Sequence, residues 1–197
     1  KTHHGSTTST GDGGSTTTGA GGAGQGGAGQ GGTLAESCDP YQARVPATEV
    51  LVGPTGLEKA LDAYIDGATT SIDLMMYQLS VKSFIDGFIA AKNRGVTVRV
   101  MLDGDQAVNA SSKSKLQAAG IEVQDAPAKW EHAHTKVMII DHQIGVVMSG
   151  NMNSYTVSSE RNYFAIDRSA DDIADLQAVF DADWSGTPLD LSCTRLL

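Results

Sequence analysis

H-A-H-T-K-V-M-I-I-D-H-Q-I-G-V-V-M-S-G-N, residues 132–151, brings His134, Lys136 and Asn151 into eighteen consecutive positions. Two apolar runs, Val137–Ile140 and Ile144–Met148, are rich in β-branched side chains and are separated by Asp141, His142 and Gln143. They predict two buried strands joined by a tight turn. Residues two apart in a strand share a face, so His134 and Lys136 point the same way. An imidazole beside a fixed cation is suited to attacking a phosphate while the oxygens of that phosphate are neutralised. Asn151, just past the second run, offers a neutral donor to the same oxygens.

Outward from this hairpin, strand and helix patterns alternate. Leu57–Ile65 reads as a helix with Leu57, Ala60, Leu61, Tyr64 and Ile65 on one face. Ser71–Gln78 is a mixed apolar strand. Val81, Phe84, Ile85, Phe88 and Ile89 mark a second amphipathic helix that ends near Gly95. A strand at Val96–Leu102, a weaker helix at Ala110–Ala119 and a short strand at Ile121–Gln124 follow. After the hairpin come a strand, Asn162–Asp167, and a helix, Ser169–Trp184, with Ile173, Leu176, Val179 and Phe180 inward and Ser169 or Asp171 as its cap. This alternation predicts an α/β fold, a mixed β-sheet flanked by helices on both faces. A doubly wound nucleotide-binding fold is the competitor, but no G-x-G-x-x-G follows the first strand.

The spacing H-x-K-x4-D (His134, Lys136, Asp141), then a strand and Ser149-x-Asn151, resembles the phospholipase D superfamily. The similarity runs over most of Thr48–Gly186, including A-K-N-R-G-V-T-V-R-V-M-L-D at Ala91–Asp103. It implies a phospholipase D-like α/β sandwich carrying one copy of the motif. Met148 stands where many members have glycine; some branches read Met-Thr-x-Asn there. The family also has a carboxylate after the second strand that orients the nucleophilic imidazole. Glu160, in S-S-E-R-N-Y-F-A-I, is the candidate, while a second alignment puts Asn162 at that place.

Composition bounds the rest. The first thirty-three residues are almost all Gly, Ser, Thr, Ala and Gln, with G-G-A-G-Q repeated. Such a segment buries too little apolar surface to offset its ordering entropy, so residues 1–37 are read as a flexible leader or linker. His3 and His4 within it read as a solvated pair rather than a metal site. Residues 38–193 then suit one domain. The first thirty-three residues hold one Lys and one Asp, so the net charge of −9 sits on the rest of the chain. That argues against a broad nucleic-acid footprint and against adhesion to anionic membranes, but not against a local basic pocket or zwitterionic lipid. No run approaches the ~20 apolar residues of a membrane-spanning helix. The chain starts at Lys1, and the leader resembles the spacer of an exported protein, secreted, periplasmic or lipid-anchored at the cell surface. The two cysteines, Cys38 and Cys193, bracket the domain and are read as a disulfide. Cys193–Leu197 (C-T-R-L-L) is similar to Thr48–Val52 (T-E-V-L-V), so residues 194–197 are a candidate start of a second repeat.

By the resemblance, phosphodiester cleavage proceeds in two displacements, without metal or cofactor. One histidine attacks phosphorus and forms a phosphohistidine. A second, from another copy of the motif, protonates the leaving alcohol and then activates water. The chain has one copy, so a second half is required, from an identical chain or a further domain. His134 is then the nucleophile or its acid partner. Lys136 and Asn151 hold the nonbridging oxygens, with Ser149 on phosphate or on the backbone. Glu160 fixes the imidazole tautomer. Asp141 completes the motif and reads as a brace for the hairpin. His132 and His142 read as rim or surface residues; the alternative for His132 is a metal pair with His134 in H-x-H. Asp103 and Asp105 read as turn chemistry, with metal binding alongside His132 as the alternative. Trp130 lines the pocket mouth or packs on the hairpin, and Met75, Met76 and Tyr77 belong to the core or a pocket wall. The activity so implied is phospholipase D: a glycerophospholipid hydrolysed to phosphatidic acid and a free head group. A nuclease of the same superfamily acting as a homodimer, and an inactive interaction module, are the alternatives.

Overall fold

Seven strands and five helices follow one another along residues 39–196, the part of the chain that the computed structural model describes. They are β1 (Glu49–Val52), α1 (Leu57–Asp66), β2 (Ser71–Met76), α2 (Lys82–Asn93), β3 (Thr97–Leu102) and α3 (Asn109–Ala118). Then come β4 (Glu122–Asp125), β5 (Lys136–Ile140), β6 (Ile144–Met148), α4 (Ser154–Ser158), β7 (Tyr163–Asp167) and α5 (Ala170–Ser185). The leader, with His3 and His4, lies outside the described residues. So does Cys38, and with it the expected Cys38–Cys193 bridge.

The strands form one mixed sheet in the order β1-β7-β6-β5-β2-β3-β4. β2, β3 and β4 run parallel, joined by helical crossovers, while β5, β6, β7 and β1 pair antiparallel. Every residue of β2 is buried, as befits a central strand covered on both faces. Ile72, Leu74 and Met76 enter the main core with Leu61 and Ile65 of α1, Phe84 and Phe88 of α2 and Leu116 of α3. Met75, on the opposite face, packs with Met101, Ile139 and the α5 residues Ile173, Leu176 and Phe180. Three helices therefore cover one face and α5 the other, which is the predicted sandwich. Each large side chain so buried contributes roughly 1.5–3 kcal/mol.

Two polar devices hold the layers in register. Asp73, on the α5 face of β2, is buried beside Arg99, its register partner on β3. Arg99 grips it with Nε and Nη2, each at 2.7 Å, and Nη2 also donates to Asp181 of α5 at 2.8 Å. Gln177 donates to Asp73 at 2.9 Å, and the guanidinium lies 4.8 Å over the Phe180 ring. The second device is the hairpin turn, where Asp141 and His142 take φ of 54° and 52°. Two consecutive left-handed residues match the twist of an antiparallel pair.

Four local expectations are corrected. β2 stops at Met76, so Tyr77 and Gln78 leave the ladder instead of continuing it. Val179 is only half-buried. Ser169 occupies the N-cap of α5 without a side-chain cap bond, and Asp171 is spent on an ion pair with Arg195. α4 went unforeseen: S-Y-T-V-S carries no helical period, and it is started by Asn153, whose side chain accepts from the Thr156 N–H at 3.0 Å.

Candidate active site

Antiparallel pairing explains why the motif residues meet. In the register, Met76 at the end of β2 faces Lys136 at the start of β5. Val147 near the end of β6 faces Val137, and Met148 faces Phe164 near the start of β7. Tyr77, His134, Lys136, Ser149, Asn151 and Asn162 therefore all emerge at one edge of the sheet. Lys136, Met138 and Ile140 alternate onto the main-core face, so the lysine caps a stack of apolar side chains.

His134 is exposed and Lys136 is buried, 7 % accessible. The Lys136 Nζ lies 3.1 Å from His134 Nε2 and donates to the His134 carbonyl at 2.9 Å. An ammonium only donates, so Nε2 is the accepting nitrogen and the imidazole proton belongs on Nδ1. The free lone pair thus sits on the nitrogen beside the cation. Tyr77 walls the pair from below. Its ring meets that of His134 edge-on, with centroids 4.5 Å apart, and lies 5.4 Å from the Lys136 Nζ. No carboxylate pairs with Lys136 among the described residues, and burial lowers its pKa from the usual lysine value. A buried cation without an anion is an open invitation to a phosphate.

The approach to His134 is pinned from two sides. Asp103, at the end of β3, accepts the Asp105 N–H at 3.0 Å, which is the expected turn chemistry. Its other oxygen accepts the Ala133 N–H at 2.7 Å and so fixes the residue before His134. Asn109, buried at the start of α3, donates to the carbonyls of Tyr77 and Asp103 and accepts from the Leu79 N–H. Sequence reasoning missed Asn109; one asparagine opening a weakly amphipathic helix carries no distinctive pattern.

Asn151 is held by its neighbours. Met152 donates to the Gln78 carbonyl at 3.0 Å and accepts from the N–H groups of Ser80 and Val81. Gly150 makes room, since a Cβ there would lie 2.6 Å from Thr156 Cγ2 and 2.7 Å from Asn162 Cγ. The close approach is therefore made at Gly150, and Met148 is buried in the core beneath it. The Asn151 Oδ1 is buried with no hydrogen-bond partner among the described residues.

Two of the motif-derived residues are not brought to His134. Asp141 ends β5, five residues beyond Lys136, about 16 Å along the strand. Its carboxylate accepts the N–H groups of Thr69, Thr70 and Ser71 and both threonine hydroxyls. Burial would raise its pKa, but those bonds outweigh it and hold the carboxyl well below the usual range. Glu160 accepts from Thr156 and from Asn162, each at 3.3 Å, and no bond joins it to His134 among the described residues. Asn162 is the nearer of the two candidates to the site loop: it accepts from the Ser149 hydroxyl at 2.9 Å. That hydroxyl in turn accepts the Tyr163 N–H, a backbone contact, which is one of the two roles left open for Ser149.

Residues 61–184 match the family described as cardiolipin synthase, PLD-like domain. The chain belongs to the phospholipase D superfamily. A mitochondrial cardiolipin hydrolase of Chlamydomonas reinhardtii is 32 % identical to this PLD-like domain over 133 residues, 66 % of this chain and 58 % of that protein. A phospholipase D of Rickettsia conorii is 36 % identical over 110 residues, 55 % of this chain and 54 % of that one. The chain thus spans a little over half the length of these curated relatives. Among solved structures, the phospholipase D family member Nuc of Salmonella typhimurium superposes with a TM-score of 0.64 at 22 % identity. That alignment covers 71 % of this chain and 94 % of Nuc, and it shows the shared fold.

Proposed function

We propose that this PLD-like domain is a phosphodiesterase that hydrolyses a glycerophospholipid to phosphatidic acid and a free head group through a phosphohistidine on His134. The observation that carries the reading is the contact of His134 Nε2 with the Lys136 Nζ at 3.1 Å, at a sheet edge with no competing carboxylate among the described residues. In the free site the ammonium faces the imidazole lone pair. When a phosphodiester enters, the ammonium and Asn151 bind its nonbridging oxygens, and Nε2 attacks phosphorus opposite the departing alcohol. Water then displaces Nε2 and releases the phosphate monoester. The chemistry needs no metal, because Lys136 supplies the positive charge. The leaving alcohol needs a proton, and the family resemblance assigns its donor to another copy of H-x-K-x4-D, in a second chain or a further domain.

Lipid is favoured as substrate by the names of the curated relatives and by the net charge of −9, which repels polynucleotides over most of the surface. The Gly/Ser/Thr-rich leader supports an exported or surface-anchored setting. The test offers phosphatidylcholine vesicles and single-stranded DNA side by side, in EDTA, to the wild type and to His134→Ala. Phosphatidic acid released in EDTA by the wild type alone is the expected result. DNA cleavage in place of lipid hydrolysis would give the nuclease reading, and no hydrolysis of either would leave an interaction module.

A further inference from the structure

We infer that Asn109 is a positioning residue, a single buried amide that sets where His134 and Asn151 stand at the sheet edge. This rests on the phosphodiesterase reading and names the side chain on which its geometry depends.

Asn109 opens α3, a place where asparagine ordinarily caps its own helix. Here the N-cap is Val108, and no side-chain cap bond is made. The Asn109 amide is instead buried, 4 % accessible, and spent on other segments. Its Nδ2 donates to the Tyr77 carbonyl at 2.9 Å and to the Asp103 carbonyl at 3.0 Å, and its Oδ1 accepts the Leu79 N–H at 2.9 Å. Two carbonyls and one N–H allow the amide one orientation, since the flipped one sets oxygen against oxygen and N–H against N–H. Ser112, buried one turn on, donates to the Leu79 carbonyl. The buried stripe of α3 is Asn109, Ser112 and Leu116. Two of those three side chains hold backbone instead of joining the apolar core, which is why the helix is only weakly amphipathic.

Each of the three Asn109 bonds ends on a segment that carries the site. Tyr77 sets its ring against the His134 imidazole, with centroids 4.5 Å apart. Asp103 accepts the Ala133 N–H at 2.7 Å, and residues 126–135 before β5 form neither helix nor strand. The nucleophile thus ends an irregular connection that this bond ties to the end of β3. Leu79 bridges to Met152, and the neighbouring Gln78 carbonyl accepts the Met152 N–H at 3.0 Å, beside Asn151. The ring support of the nucleophile, its backbone support and the seat of the oxygen ligand therefore meet at one amide. In-line attack demands the reacting atoms about 3–3.5 Å apart and aligned, and a shift of about 1 Å imposed from outside the chemistry costs about 10²-fold.

The test is single-turnover release of nitrophenolate from a p-nitrophenyl phosphodiester, with the full chain in excess. Amplitude then counts competent sites, and the rate constant reads their geometry. Asn109→Asp keeps the shape and the acceptor for Leu79 but turns an oxygen on the Tyr77 and Asp103 carbonyls. We expect wild-type amplitude with a rate constant lower by about 10²-fold. A reduced amplitude at the wild-type rate constant would overturn the assignment by making Asn109 merely structural, and so would wild-type behaviour of the variant. Should Asn109→Asp not fold, Asn109→Ala, which removes all three bonds and brings no charge, carries the same expectations. Release by His134→Ala at the wild-type rate would instead sink the phosphohistidine reading, whatever the Asn109 variants do.

Discussion

Lys136 is the residue on which the site turns. Its backbone belongs to β5 and its stem continues a core stack, yet among the described residues its ammonium is hydrogen-bonded to His134 alone, with the Tyr77 ring 5.4 Å away. Burial lowers its pKa, so the charge that would hold phosphate is lost at a lower pH than for an ordinary lysine. The alkaline limb of kcat on a chromogenic diester should accordingly fall before the ordinary lysine range, near pH 10.4. Lys136→Met should cost about 10²- to 10³-fold in kcat, the usual loss for a transition-state charge clamp. Wild-type turnover by that variant would remove Lys136 from the chemistry. At this scale the sequence was legible in part: a spacing of two put His134 beside Lys136, but His134 precedes β5 and is exposed, and the buried lysine reaches it by turning its Nζ back to the His134 ring and carbonyl. It was not legible where a side chain chooses among neighbours. Nothing in S-S-E-R-N says that Asn162, not Glu160, reaches Ser149. Nor does Y-Q after Met76 say that Tyr77 leaves the ladder to wedge between two histidines.

The β5–β6 hairpin delivers the site at one end and is anchored at the other. Asp141 collects three backbone and two hydroxyl donors from residues 69–71, tying the turn to the start of β2. The spacing of the motif thus joins two places, the sheet end that carries His134 and the anchorage at Asp141. Because the Asp141 pKa is depressed in the folded state, its stabilisation is fully present above the unfolded value, about pH 3.9, and drains away as pH falls below it. Asp141→Asn should lower Tm at neutral pH and flatten the decline of Tm below about pH 4, with kcat unchanged. Thermal melts from pH 2 to 7 check the first, and a kcat that collapsed without loss of Tm would return Asp141 to the active site. The strands and long helices were readable because apolar runs and amphipathic periods are local. α4 was not, since five residues give less than two turns of pattern.

Across the whole described chain, both terminal segments close onto the first turns of α5. Arg195 is buried and donates to Asp171 at 2.7 Å, with its Nε 3.1 Å from buried Asp172, a charge contact without hydrogen-bond alignment. Asp175 accepts the Arg195 N–H at 2.7 Å and the Thr194 hydroxyl at 3.0 Å. Arg44, from the segment before β1, reaches Asp172 at 2.7 Å and the Arg195 carbonyl at 3.1 Å. Thr194 and Arg195, read from the sequence as the opening of a further repeat, are thereby packed into this domain. Composition could not show this, because the partners are far apart along the chain, from 19 residues for Thr194 and Asp175 to 151 for Arg44 and Arg195. Arg195→Ala removes a buried cation from Asp171 and Asp172 while Arg44 still holds Asp172, and should cost about 1.5–3 kcal/mol in urea unfolding; a change under about 0.5 kcal/mol, the level of an ordinary surface substitution, would mean the clasp is dispensable.

These scales meet in one claim, that His134 Nε2 becomes bonded to phosphorus during turnover. The direct measurement is to mix the protein with a slow phosphodiester, quench in alkali, where phosphohistidine survives, and map the adduct by peptide mass spectrometry. The peptide carrying His134 is expected to bear a phosphoryl group still esterified to the retained alcohol, present during turnover and absent from His134→Ala. Steady turnover with that peptide unmodified, or an active His134→Ala, would contradict it.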